Sequence, residues 1–114
     1  MSDCLFCKII KGDIPSKKVY ENDEVYAFED LNPQAPHHIL FIPKHHISTI
    51  NEATPENAKH FGALFAGVKE YAAEIGVDEP GYRVVMNCNA DAGQTVYHVH
   101  LHFLAGRSLT WPPG

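Results

Sequence analysis

Polar and apolar positions alternate most strictly at residues 98–103, where His98, His100 and His102 interleave with Val99, Leu101 and Phe103. A period of two is that of a β-strand, so the three imidazoles are expected on one face and the three apolar side chains on the other. A rise of about 3.3 Å per residue would space neighbouring imidazoles about 7 Å apart, near enough to serve one ligand. Upstream, residues 17–31 read as two strands around a turn at Glu21–Asp23, and residues 37–44 as a third strand stopped by Pro43. Residues 81–89 form an expected fourth strand, Ala90–Thr95 a polar turn, and residues 96–106 the fifth strand. One stretch follows the helical period instead: Ala58, Phe61, Leu64, Phe65, Val68, Ala72 and Ile75 share a stripe. Thr54 and Pro55 supply a cap and a first-turn proline, and Gly76 a stop, for a helix of about six turns. Strands in adjacent runs rather than alternation with helices predict an antiparallel α+β sheet.

Composition narrows the setting. The 114 residues, 45% hydrophobic and 20% charged, suit one domain with its own core. The longest aliphatic-aromatic run, Ile39–Ile42, is too short to cross a bilayer, and the acidic start lacks a signal-peptide core. A cytoplasmic location and three reduced cysteines are expected. A net charge of −5 disfavours a nucleic-acid backbone as partner, while a small phosphate ligand needs only local donors.

Three groups of residues carry candidate chemistry. The loop Asn89–Thr95 precedes the histidines, and its Gly93, Gln94 and Thr95 suit a phosphate or carbonyl cradle. Cys4 and Cys7 have the spacing of a metal-binding turn, with His45, His46 and His98 available to complete a tetrahedron. A redox dithiol or two unrelated packing cysteines are the competing readings. Asp30, at a strand end, can accept from both hydroxyls of a ribose or simply start a turn. One member of each pair, His37–His38 and His45–His46, can face inward. His60 is expected in solvent, Cys88 in the core, and Trp111 packed on a surface.

Residues 7–48, 81–107 and the terminal Trp111–Gly114 together resemble the histidine-triad (HIT) superfamily, and its Hint branch in particular. The resemblance implies a five-stranded antiparallel sheet with one long and one short helix, extended across a homodimer. It implies hydrolysis of purine nucleoside 5′-phosphoramidates through a nucleotidyl-histidine on His100. His102 and His38 would complete the catalytic cluster, with Thr95 where eukaryotic members carry serine. Asp30 would hold the ribose; Asn87, Gly93 and Gln94 would surround the phosphate; Phe6, Ile9, Phe28 and Leu31 would wall the base. Cys4, Cys7, His46 and His98 match relatives that carry a structural zinc. Rival readings are a dinucleotide hydrolase or nucleotidyl transferase of the same superfamily, a nucleotide-binding module without turnover, and a metal-dependent oxygenase. The last would require further ligands after His102, and no histidine follows.

Overall fold

A computed structural model describes residues 3–114. Five antiparallel strands, β1 (Lys18–Glu21), β2 (Val25–Glu29), β3 (His37–Pro43), β4 (Tyr82–Val85) and β5 (Leu101–Ala105), lie in the order β1-β2-β3-β5-β4. Alternation gives the sheet two apolar faces. Val25, Ala27, Ile39, Phe41, Leu101 and Phe103 pack against Leu64, Val68, Tyr71 and Ala72 of the long helix. Phe28, Leu40 and Ile42 point the other way and meet Phe6 and Ile9 of the N-terminal helix α1 (Leu5–Lys11). The long helix α2 (Ala58–Glu74) therefore backs the sheet, while α1 covers the face that carries the histidines.

The helix start shows which part of a sequence signal is local. Thr54 Oγ1 accepts from the Asn57 backbone N–H (3.2 Å), and Asn57 Oδ1 accepts from the Thr54 N–H (2.7 Å). The first turn after this reciprocal cap closes through i→i+3 bonds (Asn57 N–H to the Thr54 carbonyl, 3.2 Å; His60 N–H to the Asn57 carbonyl, 3.0 Å), so regular α-helix begins at Ala58 and spans 17 residues, about five turns rather than six. At the other end Gly76 adopts φ 77°, its N–H bonds to the Ala73 carbonyl, and the Val77 N–H reaches back to Ala72. That is a Schellman closure, sealed by buried Val77. Phe65, placed on the stripe by period alone, is instead 52% exposed.

Other differences lie at strand ends and in the connections. The β1–β2 turn occupies Asn22–Glu24, because Asn22 Oδ1 accepts from the N–H groups of both Glu24 and Val25. Strand β4 stops at Val85, and Asn89–Ala92 forms a one-turn helix, α3, which the reading of one long and one short helix omitted. A 3-10 turn at Ile50–Glu52 is likewise additional. The main correction concerns β5, which begins only at Leu101. The register that pairs Phe41 with Leu101 would set Pro43 opposite Val99, and proline has no N–H for the ladder. The Val99 N–H turns to the Ile47 carbonyl at 2.7 Å, so His98 and His100 approach the sheet from an irregular segment. No helix among the described residues is long and apolar enough to cross a membrane.

Candidate functional site

A cleft of about 410 Å³ opens on the α1 face. Of the residues expected there, Phe6, Ile9, Phe28, Asp30, Leu31, Asn87, Gly93, Thr95, His100 and His102 line it. Leu5, Leu40 and Val96 also line it and were not anticipated. Leu40 was within reach of the strand pattern, since it shares a sheet face with His38 and Ile42. Phe6 stands edge-on to Phe28 and His100, with ring centroids 5.5 and 5.1 Å apart, so α1 forms one wall. Leu31 is fully exposed and forms the cleft's lip rather than a buried wall. Thr95 lies exposed at the rim.

Gln94 does not line the cleft. Buried to 5% exposure, its side-chain amide donates to the Ser48 and Val96 carbonyls (2.9 and 3.1 Å) and accepts from the Asn89 N–H (2.8 Å). Its own backbone N–H bonds to the Asn89 carbonyl. Every donor is thereby spent inside the fold, and Gln94 braces the 89–96 loop instead of offering itself to a ligand. Cys88 is half-buried at the start of α3 rather than in the core. His60 is not solvated: its ring stacks on His45 at 4.4 Å, and its Nδ1 lies 3.5 Å from Glu24.

The imidazoles are best understood through the partner of each ring nitrogen, because that partner decides which nitrogen carries the proton. His100 Nδ1 lies 2.8 Å from the His98 carbonyl, an acceptor, so Nδ1 holds the proton and the Nε2 lone pair is free. His98 is the reverse: Nε2 donates to the Pro43 carbonyl at 2.9 Å, leaving an Nδ1 lone pair. His38 Nδ1 accepts from the Gln34 backbone N–H at 3.0 Å, so its Nε2 holds the proton. That Nε2 donates to His102 Nδ1 at 2.9 Å and lies 3.4 Å from Asp30 Oδ2. His102 must then carry its own proton on Nε2.

Burial favours these neutral forms. It holds His38 and His100 below the usual imidazole range, although the Asp30 charge pulls both upward. Burial, reinforced by the neighbouring His100 and His38, depresses His102 to about 4. His98, fully buried, is also lowered to about 4, mainly by burial. The pair His100 and His102, with centroids 5.1 Å apart, thus offers one bare lone pair and one N–H.

Among the described residues two clusters have metal-ligand composition, and the tautomers separate them. Around the free Nδ1 of His98 stand Cys4 Sγ at 3.3 Å, His46 Nδ1 at 3.2 Å and Cys7 Sγ at 3.7 Å, with Cys7 Sγ 3.4 Å from His46 Nδ1. Zinc bonds of about 2.0–2.3 Å make tetrahedral edges of about 3.3–3.8 Å, which these separations match. Burial raises the Cys7 thiol, helped by adjacent Cys4, so its sulfur gains from a cation. The four residues fit a closed zinc site. Asp30, His38 and His102 do not fit a resident metal, because the His38 Nε2 that would ligate holds a proton fixed by Gln34.

Comparisons with known proteins give the family and the fold. The HIT domain family matches residues 11–109. A purine nucleoside phosphoramidase of Escherichia coli K12 is 45% identical over 107 residues, covering 94% of this chain and 90% of that protein. A HIT family hydrolase from Legionella pneumophila superposes with a TM-score of 0.95 at 48% identity, covering 98% of this chain and all of the other. A histidine triad protein from Clostridium difficile gives 0.93 at 45% identity, with 96% of each chain covered.

Proposed function

The chain belongs to the HIT family, and from that premise we propose that it hydrolyses purine nucleoside 5′-phosphoramidates through a nucleotide covalently held on His100. The observation that carries this reading is the opposed protonation of two adjacent imidazoles in one apolar cleft. His100 presents Nε2 as a lone pair, and His102 presents Nε2–H. The base lies between Phe6, Ile9 and Phe28, and Asp30 accepts from the ribose hydroxyls. His100 Nε2 attacks phosphorus, the phosphorus–nitrogen bond breaks, and the departing nitrogen takes a proton from solvent at the open rim beside Thr95 to leave as the neutral amine. The His102 N–H, with Asn87 and the backbone near Gly93, meets the charge that builds on the phosphoryl oxygens. Water then attacks the nucleotidyl-histidine and gives a proton back to solvent, releasing the nucleoside monophosphate and restoring the His100 Nε2 lone pair. His38 serves by holding His102 in the donating tautomer.

In the same reading the protein is cytoplasmic and acts as a homodimer. Zinc at Cys4, Cys7, His46 and His98 is structural. When bound it would lock the N-terminal turn, and its closed ligand set would leave no position for substrate.

Incubation with adenosine 5′-phosphoramidate should release AMP, and His100→Gly should cut turnover by about a thousandfold or more while nucleotide still binds. With a slow substrate, a one-nucleotide mass increase should appear transiently on the peptide bearing His100. Loss of only a few-fold, or faster cleavage of a dinucleoside polyphosphate than of the phosphoramidate, would sink the proposal.

A further inference from the structure

The Gly106–Arg107 pair after β5 has no place in the cleft, yet it grips the loop that sets the histidine tautomers. Arg107 Nε donates to the Gln34 carbonyl at 3.0 Å, and its Nη1 donates to the Ser108 carbonyl at 3.0 Å. Gly106 sits at φ 100° against Pro36, where a Cβ would come within 2.8 Å of Pro36 Cβ. Only glycine allows both that backbone conformation and that approach. The loop is also tied from within: Gln34 Nε2 donates to the Asn32 carbonyl, and the Asn32 N–H donates to Asp30 Oδ1 (3.0 and 2.7 Å). Gln34 is therefore held on one side by Arg107 and presents its N–H to His38 Nδ1 on the other.

We propose that Arg107, with Gly106 as its close-packed support, is a positioning residue that selects the donating tautomer of His102 through Gln34 and His38. If Gln34 turns its N–H away, His38 Nδ1 loses the donor that keeps it unprotonated, and only Asp30 Oδ2, 3.4 Å from Nε2, still favours the working tautomer. With its proton moved to Nδ1, His38 would face His102 Nδ1 with a lone pair. His102 would then hold its proton on Nδ1 and present a bare Nε2 to the phosphoryl oxygens, repelling the charge it should stabilise. No proton is gained or lost overall; two move from one ring nitrogen to the other. The cleft's apolar walls are untouched, so nucleotide binding persists while the chemical step slows.

The proposal rests on the phosphoramidase reading, and its test has an arm that needs no substrate. Imidazole ¹⁵N spectra of the unliganded protein should show Nε2-protonated His38 and His102 in the parent. Arg107→Ala should bring Nδ1-protonated signals for both, with kcat for adenosine 5′-phosphoramidate down about ten- to a hundredfold and KM within about threefold. Arg107→Lys keeps one donor and should restore most of the rate and the parental spectrum. Should Arg107→Ala not fold, Arg107→Gln, whose amide can still donate once, is read in the same way and should lie between alanine and lysine. Parental tautomer signals in a folded Arg107→Ala protein, or a kcat within twofold of the parent, would overturn the assignment. A parent that cannot turn over the phosphoramidate would remove the reading of the previous subsection, while the spectra would still decide the clamp.

Discussion

His98 and His100 are two residues apart and carry their protons on opposite ring nitrogens, because one donates to the Pro43 carbonyl through Nε2 and the other to the His98 carbonyl through Nδ1. The repeat of histidines announces chemistry, but it says nothing of these carbonyls, which lie 55 residues away in one case and two in the other. Role at this scale is set by the second nitrogen's partner. Depression of His102 to about 4 has a measurable consequence. Its unfolded value is near 6.5, so above that pH neither state binds the proton. As the pH falls from 6.5 towards 4, the unfolded chain takes up a proton that the folded site refuses, and stability is lost. Between pH 7 and 5 this single group accounts for at most about 2 kcal/mol. His102→Asn should flatten the fall in urea stability over that interval by up to that amount, and an unchanged fall would show that the burial penalty is not felt. Gln94 makes a separate case. Gln94→Leu would strand the Asn89 N–H and remove the donors to the Ser48 and Val96 carbonyls, at a cost of about 2–3 kcal/mol in a thermal or urea melt. A neutral substitution would mean that the 89–96 loop closes without its brace. Sequence reading placed Gln94 correctly in the loop beside the histidines, but residue type alone cannot distinguish a donor facing a ligand from one turned inward.

Helix α1 links the Cys4, Cys7, His46 and His98 cluster to the cleft. Cys4 is its N-cap, with Sγ accepting from the Cys7 N–H at 3.4 Å, and within the same two turns Phe6 and Ile9 face the cleft. Seven residues are too few for a helix to persist by itself, so its position depends on what ties its start. Stripping zinc should therefore lower the melting temperature and speed amide exchange across Leu5–Lys11. It should also weaken AMP binding more than it slows turnover at saturation. Protein purified without added metal should contain about one zinc per chain. A chelated protein with parental melting and AMP affinity would count against any role for these four ligands; complete loss of turnover would favour a metal enzyme. Elements with strong local signals were legible in the sequence: Thr54, the apolar stripe and Gly76 located α2, and strand-like runs bounded by turn residues located all five strands. What escaped was how particular backbone groups pair. Regular α2 starts three residues late because the turn after Thr54 closes through i→i+3 bonds to the Thr54 and Asn57 carbonyls. Strand β5 started late because Pro43, on a neighbouring strand, ends their ladder. Phe65 has the period of the core stripe but lies beyond the sheet's reach.

On the scale of the molecule, the order β1-β2-β3-β5-β4 leaves two sheet edges with very different dress. The β1 edge is guarded by charge: Lys18 pairs with Glu21 at 2.8 Å, and Lys44 with Glu21 at 2.7 Å. Exposed charged pairs of this kind discourage another strand from docking. The β4 edge is apolar by comparison, with Tyr82 exposed and Val84 and Val85 in the strand. Beside it runs the C-terminal tail, tethered where Arg83 Nη2 donates to the Leu109 carbonyl at 3.4 Å. The Arg83 guanidinium also stands 5.7 Å from the centre of the Trp111 ring. Trp111 was expected to pack, yet in a single chain it is 78% exposed. A proline-stiffened terminus that presents an indole next to an open strand edge has the makings of a two-fold contact, in which each chain covers the other's tail. The intact protein should then sediment as a dimer at micromolar concentration. Removal of residues 109–114 strips the tryptophan but none of the core, so melting should shift little while the preference among leaving amines changes. A monomeric parent, or a truncated protein with the parental amine preference, would leave the tail as surface decoration and the β4 edge without a partner.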